Sequence, residues 1–263
     1  MAEGEVGGAR ILIVDDEATL RTVLGAILSD AGFAVECCDS AEEALRMLAR
    51  QACDALVVDK NLPAMNGIDL AREALARGSA RRAVMITGYP SSSSVIEAVN
   101  VGIAGYLVKP FARVSAVVDE VRRVLRADAR QTAIPPYRLC AYLRGGERLT
   151  PLPETVAVVA DAAARACVER LFGPGARVFD NAELGLVAVT ERMPAVVVAD
   201  DLGVLQRLAA RAQTAVGWYA GPALGFKSAV ELLALGGICA IDPRSLAADN
   251  APWRLLPGDG TKA

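Results

Sequence analysis

The chain has 263 residues, with 28 Lys+Arg, 31 Asp+Glu and no histidine. Without histidine it can carry no Ser-His-Asp triad, no Cys-His pair, no His-bearing zinc or iron site and no phosphohistidine, so any acid–base or metal chemistry runs on carboxylates, amines, hydroxyls, thiols or backbone groups. Aromatic residues are 5%, and residues 1–128 carry 14 basic and 18 acidic groups against 14 and 13 in residues 129–263, so neither half has the stacking platform or basic excess of a nucleic-acid binder.

In chain order, residues 11–14 are a short apolar run that ends abruptly in Asp15, Asp16 and Glu17. That pattern predicts a buried strand delivering acids to its C-terminal edge. Leu20, Val23, Leu24, Ile27 and Leu28 recur at helical spacing, and Gly32 stops that helix. Residues 33–37 are a second strand candidate. Ser40 and Glu43 form a capping-box pattern ahead of Ala44, Leu45, Met47 and Leu48. Residues 55–58 predict a third strand ending at Asp59, and a loop through Pro63 and Gly67 leads to a helix reaching about Arg77. Residues 83–86 predict a fourth strand ending at Thr87, and Ser91–Ser94 open a helix with Val95, Ile96 and Val99. Residues 105–108 predict the fifth strand, followed by Lys109-Pro110. Val114, Val117, Val118, Val121, Val124 and Leu125 then mark an amphipathic last helix. Five strands alternating with five helices predict an α/β fold with a doubly wound parallel sheet.

A linker at 129–136, stiffened by Pro135-Pro136, separates this domain (8–128) from a second α/β domain (137–263). There, residues 138–143 read as a strand, 154–172 as one long helix, and 178–179 as a minimal strand. A helix at 182–192, a strand at 195–199 ending in Asp200-Asp201, and a helix to Arg211 follow. Residues 215–218 read as a strand, 226–235 as a helix and 238–241 as a last strand before Asp242-Pro243; the tail from Arg244 holds Pro252, Pro257 and Gly258 and no last helix. Val196-Val197-Val198-Ala199-Asp200 parallels Ala55-Leu56-Val57-Val58-Asp59, which predicts a weak internal repeat of one fold.

In an open parallel sheet, ligands bind at the carboxyl ends of the strands. Asp15, Asp16, Asp59, Thr87 and Lys109 all fall there. Three converging acids repel one another unless a cation is present, and Mg²⁺ suits an all-oxygen set. A lysine and a hydroxyl at the same edge supply positive charge and a donor for an incoming phosphoryl group, with Asp59 as candidate nucleophile. Pro110 sits where a cis bond would aim Lys109. Singly, an acid pair after a strand is an ordinary helix cap and Lys-Pro means nothing; the conjunction of all five carries the argument.

Residues from about Arg10 to Ala127 resemble the receiver domain of two-component response regulators. The matching positions are Asp15-Asp16, Asp59, Leu62-Pro63-x-Met65-x-Gly67, Thr87-Gly88, Tyr106 and Lys109-Pro110-Phe111. The resemblance implies that Asp59 accepts a phosphoryl group from the histidine of a partner kinase or phosphotransfer protein. It implies Mg²⁺ on Asp16, Asp59 and the carbonyl of Asn61, with Asp15 acting through water. Lys109 would pair with phosphoryl oxygens, and Thr87 and Tyr106 would act as the switch. Asn61 and Tyr89 fall at positions that tune dephosphorylation in that family. It also raises homodimerisation through the face of the fourth helix, fifth strand and fifth helix.

The second half is expected to keep the rhythm and lose the site. Its first strand would end in Arg144-Gly145-Gly146, Asp200 would stand in for Asp59, Tyr219 or Ala220 for Thr87, and Asp242 for Lys109. It resembles a degenerate pseudo-receiver that cannot be phosphorylated in the usual way. The expected function is signalling through protein binding, in a protein that is not an enzyme beyond its own phosphorylation chemistry. The alternative is a receiver controlling an enzymatic α/β output domain; a DNA-binding regulator ranks third. No run reads as a membrane span, since the best candidate, 223–241, holds Lys227 and Glu231. The acidic start lacks a signal-peptide core, and six cysteines without C-x-x-C spacing suggest reduced thiols in the cytoplasm.

Overall fold

Each short apolar run of the first half becomes a parallel strand. β1 (Arg10–Val14), β2 (Ala34–Cys38), β3 (Cys53–Asp59), β4 (Ala80–Thr87) and β5 (Gly105–Val108) alternate with α1 (Ala18–Asp30), α2 (Ala41–Arg50), α3 (Gly67–Ala76), α4 (Ser92–Val101) and α5 (Ser115–Arg126). The structure, a computed structural model, describes residues 8–113, 115–126, 139, 142–143, 149–212, 215–222, 224–235 and 239–240. Val114, expected to open the last helix, lies outside them, as does the expected linker.

The first sheet has the order β2-β1-β3-β4-β5 with every pair parallel. The strand order reverses between β1 and β3, which makes the carboxyl ends of those two strands the natural ligand crevice. Ile11, Ile13, Ala55, Val57, Val84 and Ile86 face α1 and α5, where they meet Leu24, Leu28, Val117, Val121 and Val124 in one apolar cluster. Leu12, Val14, Leu56, Val58 and Met85 are equally buried. Burial on both faces explains why the central strands read as unbroken apolar runs.

One helix start differs from expectation. α2 begins after Ser40, but the Ser40 side chain makes no capping bond. The capping box forms instead at α4, where Ser91 Oγ accepts from Ser94 N–H and Ser94 Oγ accepts from Ser91 N–H, both at 3.2 Å.

By packing, the chain divides into two units, residues 1–90 with 103–129 and residues 91–102 with 130–263. In the second unit the strands are β6 (Thr155–Val158), β7 (Ala176–Phe179), β8 (Val196–Ala199), β9 (Val216–Tyr219) and β10 (Cys239–Ala240). The helices are α6 (Ala162–Phe172), α7 (Ala182–Glu191), α8 (Leu202–Arg211) and α9 (Phe226–Ala234). The sheet order is β10-β9-β8-β6-β7, again all parallel. Counted within its own half, that is the strand order of the first sheet.

Two expectations for this half are corrected. The first strand is not 138–143: Leu139, Tyr142 and Leu143, the described residues there, are helical. Their i, i+3, i+4 spacing is that of a helix face. The single helix expected over 154–172 is a strand and a helix. Thr155–Val158 is buried at every position, which suits a central strand, and α6 starts only where Asp161 accepts the Ala164 N–H at 2.9 Å.

Leu139 and Leu143 join Val168, Phe172, Val196, Val198 and Trp218 in the core. The Tyr142 and Phe172 rings lie 5.9 Å apart and Phe172 and Trp218 6.2 Å apart. In the first unit α5 packs beside α1 on the corresponding sheet face. Thus a helical segment preceding β6 covers the ground that the first unit covers with its last helix. No helix among the described residues is long and apolar enough to cross a membrane.

Candidate functional site

β1 ends at Val14, and the chain continues into Asp15, whose N–H donates to the Cys38 carbonyl at 3.3 Å. That bond extends the β1–β2 ladder by one residue and fixes Asp15 at the sheet edge, 1% exposed. Asp15 Oδ1 accepts the Glu17 N–H at 2.9 Å, and Arg21, one turn into α1, donates to the Asp15 carbonyl at 2.5 Å. Arg21 was not foreseen, because only the folded path brings it back to Asp15. Asp16 is exposed.

Asp59 closes β3 and is 5% exposed. Asp59 Oδ2 accepts the Asn61 N–H at 3.1 Å, which pins the carboxylate to its own loop. That loop turns through Ala64 at φ 66° and enters α3 at Gly67. A Cβ at Gly67 would sit 2.0 Å from the Asp59 carbonyl oxygen, so only glycine lets α3 approach β3 here.

Lys109 follows β5 and joins the two acids. Its Nζ lies 2.7 Å from Asp15 Oδ2 and 3.1 Å from Asp59 Oδ1. Its backbone N–H donates to the Thr87 carbonyl at 2.8 Å, and the Lys109-Pro110 bond is cis. Burial pushes the Asp59 carboxyl above its ordinary pKa; Lys109 opposes the rise and Asp15 adds to it. Burial acts to lower the Lys109 pKa, but its bonds to Asp15 and Asp59 outweigh that and hold it above the ordinary value. The ammonium is therefore charged throughout the neutral range.

Thr87 is fully buried at the end of β4, and its Oγ1 accepts the Tyr89 N–H at 3.1 Å. Tyr106 is buried on β5 opposite Met85, while Tyr89 is exposed. Asp15, Asp16, Asp59, Asn61, Thr87 and Lys109 thus fall at one sheet edge, with Asp15, Asp59 and Lys109 in direct contact, while Tyr106 sits two residues back in β5. Among the described residues no three acidic or thiol side chains form a ready cation cluster, since the lysine draws Asp15 and Asp59 onto itself. The groups expected to hold Mg²⁺, the Asp16 and Asp59 carboxylates and the Asn61 carbonyl, are oxygens only, a set whose chemistry suits that ion.

Strand register allows the same edge of the second unit to be compared position by position. Val14 pairs with Val58 as Val158 pairs with Ala199, so Val159 and Ala160 stand where Asp15 and Asp16 do, and Asp200 where Asp59 does. The Val159 N–H donates to the Phe179 carbonyl at 2.9 Å, as Asp15 does to Cys38. Met85 pairs with Val58 and Tyr219 with Ala199, so the counterpart of Thr87 is Gly221, two residues on, not Tyr219 or Ala220. A Cβ there would lie 2.2 Å from the Asp200 carbonyl and 2.4 Å from the Tyr219 hydroxyl, leaving no room for a threonine. Asp200 Oδ2 accepts the Ala160 and Asp161 N–H groups at 2.7 and 2.8 Å, and Asp201 caps α8 by accepting the Val204 N–H at 2.8 Å. Arg144-Gly145-Gly146 and Asp242 lie outside the described residues.

Comparison with known proteins places residues 11–121 under the family model of the response regulator receiver domain. The chain is 40% identical over 105 residues to the chemotaxis protein CheY of Pseudomonas aeruginosa, covering 39% of this chain and 85% of that protein. It is 35% identical over 117 residues to the response regulator MprA of Mycobacterium leprae, covering 44% of this chain and 51% of MprA. It therefore spans about half the length of MprA and most of CheY. Among solved structures, chemotaxis response regulator CheY4 of Vibrio cholerae aligns at 29% identity with a TM-score of 0.42, over 44% of this chain and 98% of that one. With 85% of a 40%-identical CheY covered and the acid–lysine–threonine edge in place, the chain belongs, through residues 11–121, to the response regulator receiver family.

Proposed function

We propose that the chain is a response regulator that accepts a phosphoryl group on Asp59 from the histidine of a partner kinase or phosphotransfer protein, in a Mg²⁺-dependent reaction, and signals through protein–protein interaction. The carrying observation is Lys109 Nζ lying between Asp15 and Asp59 at the edge that also holds Thr87. An Asp59 oxygen attacks phosphorus; the P–N bond to the donor imidazole breaks, and its electron pair leaves with the ring nitrogen. Asp16, Asp59 and the Asn61 carbonyl, with Asp15 acting through water, would hold Mg²⁺, which would supply charge neutralisation for the phosphoryl oxygens. Lys109 pairs with one phosphoryl oxygen. Thr87 turns its hydroxyl from the Tyr89 N–H to another, and Tyr106 follows.

Residues 8–128 are the working receiver, 129–136 a linker and 137–263 a receiver-like domain without an acceptor site. The shared strand order supports that reading, as do Val159 and Ala160 in place of the acid pair, Gly221 in place of Thr87, and Asp200 engaged by two backbone N–H groups. The protein works in the cytoplasm, where its thiols stay reduced, and carries no turnover activity beyond its own phosphorylation and dephosphorylation.

Incubation with Mg²⁺ and acetyl phosphate, followed by intact mass measurement, tests the reading. The wild-type chain is expected to gain one phosphate and Asp59→Asn none. A wild-type chain that gains none, or a variant that does, overturns it.

A further inference from the structure

One helix can be compared residue by residue between the two units. Val14 pairs with Cys38 as Val158 pairs with Phe179, so α7 is the counterpart of α2. No residue is gained or lost between them. Asn181 precedes α7 as Ser40 precedes α2, and each helix has 10 residues. The inner faces agree: α2 buries Ala41, Ala44 and Leu48, and α7 buries Gly185, Leu186, Ala188 and Val189. A Cβ at Gly185 would sit 2.2 Å from Val158 Cγ2, so α7 lies hard on β6 and its rotation is fixed.

The outer faces do not agree. Leu184 stands where α2 has Glu43, and Val187 where α2 has Arg46. Leu184 and Val187 lie at i, i+3 on one face and are each more than half exposed, as is Met193 just beyond the helix. The next turn adds little free polarity, because Thr190 Oγ1 donates to the Val187 carbonyl at 2.7 Å. One exposed leucine is ordinary in a folded domain. Two aliphatic residues where the same fold in the same chain places an acid and a base mark a face that is covered when the protein works.

The charges around this stripe select its cover. Its start holds Glu183 and Arg207, paired with each other. Its end holds Glu191 and Arg192, whose partners are Arg177 and Glu154. Bridges between such exposed side chains are weak and exchange readily. Each end of the stripe therefore carries both signs. A partner with one dominant sign would meet repulsion at either end. A second copy of the helix laid antiparallel sets Glu183 opposite Arg192 at both ends, with Leu184 and Val187 meeting across the two-fold axis.

We propose that α7 is a homodimer interface, in which two copies of the chain pair through Leu184 and Val187 of antiparallel helices. One helix face per copy is a small contact, so the affinity is micromolar rather than nanomolar. The pairing does not depend on phosphorylation of Asp59.

Sedimentation velocity on the full-length, unphosphorylated chain tests it, over about 1 to 200 µM to bracket such an affinity. The wild-type chain is expected to pass from monomer to dimer. Leu184→Glu with Val187→Arg restores the residues of α2 on an exposed face. That variant is expected to dimerise about a hundredfold more weakly, with its thermal unfolding unchanged. A charge arm tests the antiparallel geometry. Glu183→Arg or Arg192→Glu alone is expected to weaken the dimer about threefold, and the two together to recover it, since each copy then meets the opposite charge again. The bridges to Arg207 and Glu154 are not restored by that exchange, so recovery reports contact between copies. If the apolar variant fails to fold, the charge arm decides alone. A wild-type chain that stays monomeric throughout overturns the proposal and leaves the face to another protein or to this chain's own residues 244–263. A dimer that survives Leu184→Glu with Val187→Arg overturns it by placing the interface elsewhere. Failure of the double charge exchange to recover association overturns the antiparallel pairing, and the proposal with it.

Discussion

At the scale of single residues, Lys109 decides the character of the site. It gives one charge to two buried carboxylates, Asp15 and Asp59. Lys109→Met would leave both without a cation, at a cost on the order of 3 kcal/mol in Mg²⁺-free buffer. Urea unfolding of the variant, compared with Lys109→Met carrying Asp15→Asn as well, measures that cost; the second change should recover part of the loss. Phosphate gain at Asp59 should fall in both. Gly67 matters for shape alone. Gly67→Ala places a methyl 2.0 Å from the Asp59 carbonyl oxygen, so β3 and α3 must separate. The expected loss is about 1–3 kcal/mol, with reduced phosphate gain, read by thermal unfolding and by intact mass. The identities of these site residues were legible in the sequence because each sits at the end of an apolar run. The Arg21 bond to the Asp15 carbonyl was not, since it depends on where α1 returns to the sheet edge.

At the scale of elements, the two halves differ in how openly their strands announce themselves. In the first half, runs such as Leu56-Val57-Val58 stop at a charged or polar residue, so strand ends and site residues coincide. In the second half, Thr155–Val158 is followed by Val159 and Ala160 and then by a helix of similar composition, so strand and helix merge into one apolar stretch. The boundary is set by Asp161 capping α6, a local bond that composition does not display. The same shift moved the expected first strand to 138–143, whose described residues are helical and fill the place of a last helix. Once the strands are paired, register identifies Val159, Ala160 and Gly221 as the counterparts of Asp15, Asp16 and Thr87. Tyr219, whose phenol is pushed up by burial and then by Asp201 and Asp200, closes over that edge. Asp200 now holds the loop after β6, so Asp200→Ala should destabilise the second half by about 1–3 kcal/mol without changing phosphate gain, as thermal unfolding and intact mass would show.

At the scale of the whole molecule, the buried cysteines make stability depend on pH. Cys38, Cys53 and Cys167 are buried and unpaired, with thiol pKa values pushed by burial to about 12, about 11 and about 12. The folded state therefore binds protons that the unfolded chain, with thiols near about 8.5, gives up. The sign follows: this contribution to stability is fully present below about pH 8.5 and is lost as pH rises toward the folded values. Denaturant midpoints should be flat with respect to these groups from pH 7 to 8 and fall from pH 9 upward. Serine at positions 38, 53 and 167 together should flatten that fall.

We propose that the edge at Asp59 accepts a phosphoryl group and the edge at Asp200 does not. The most direct measurement traps the acyl phosphate. The full-length chain is phosphorylated with acetyl phosphate and Mg²⁺, reduced with borohydride to convert any phosphoaspartate to homoserine, and mapped by peptide mass spectrometry. Homoserine at residue 59 and aspartate intact at residue 200 is the predicted result. Homoserine at residue 200, or at any residue in place of 59, would contradict it.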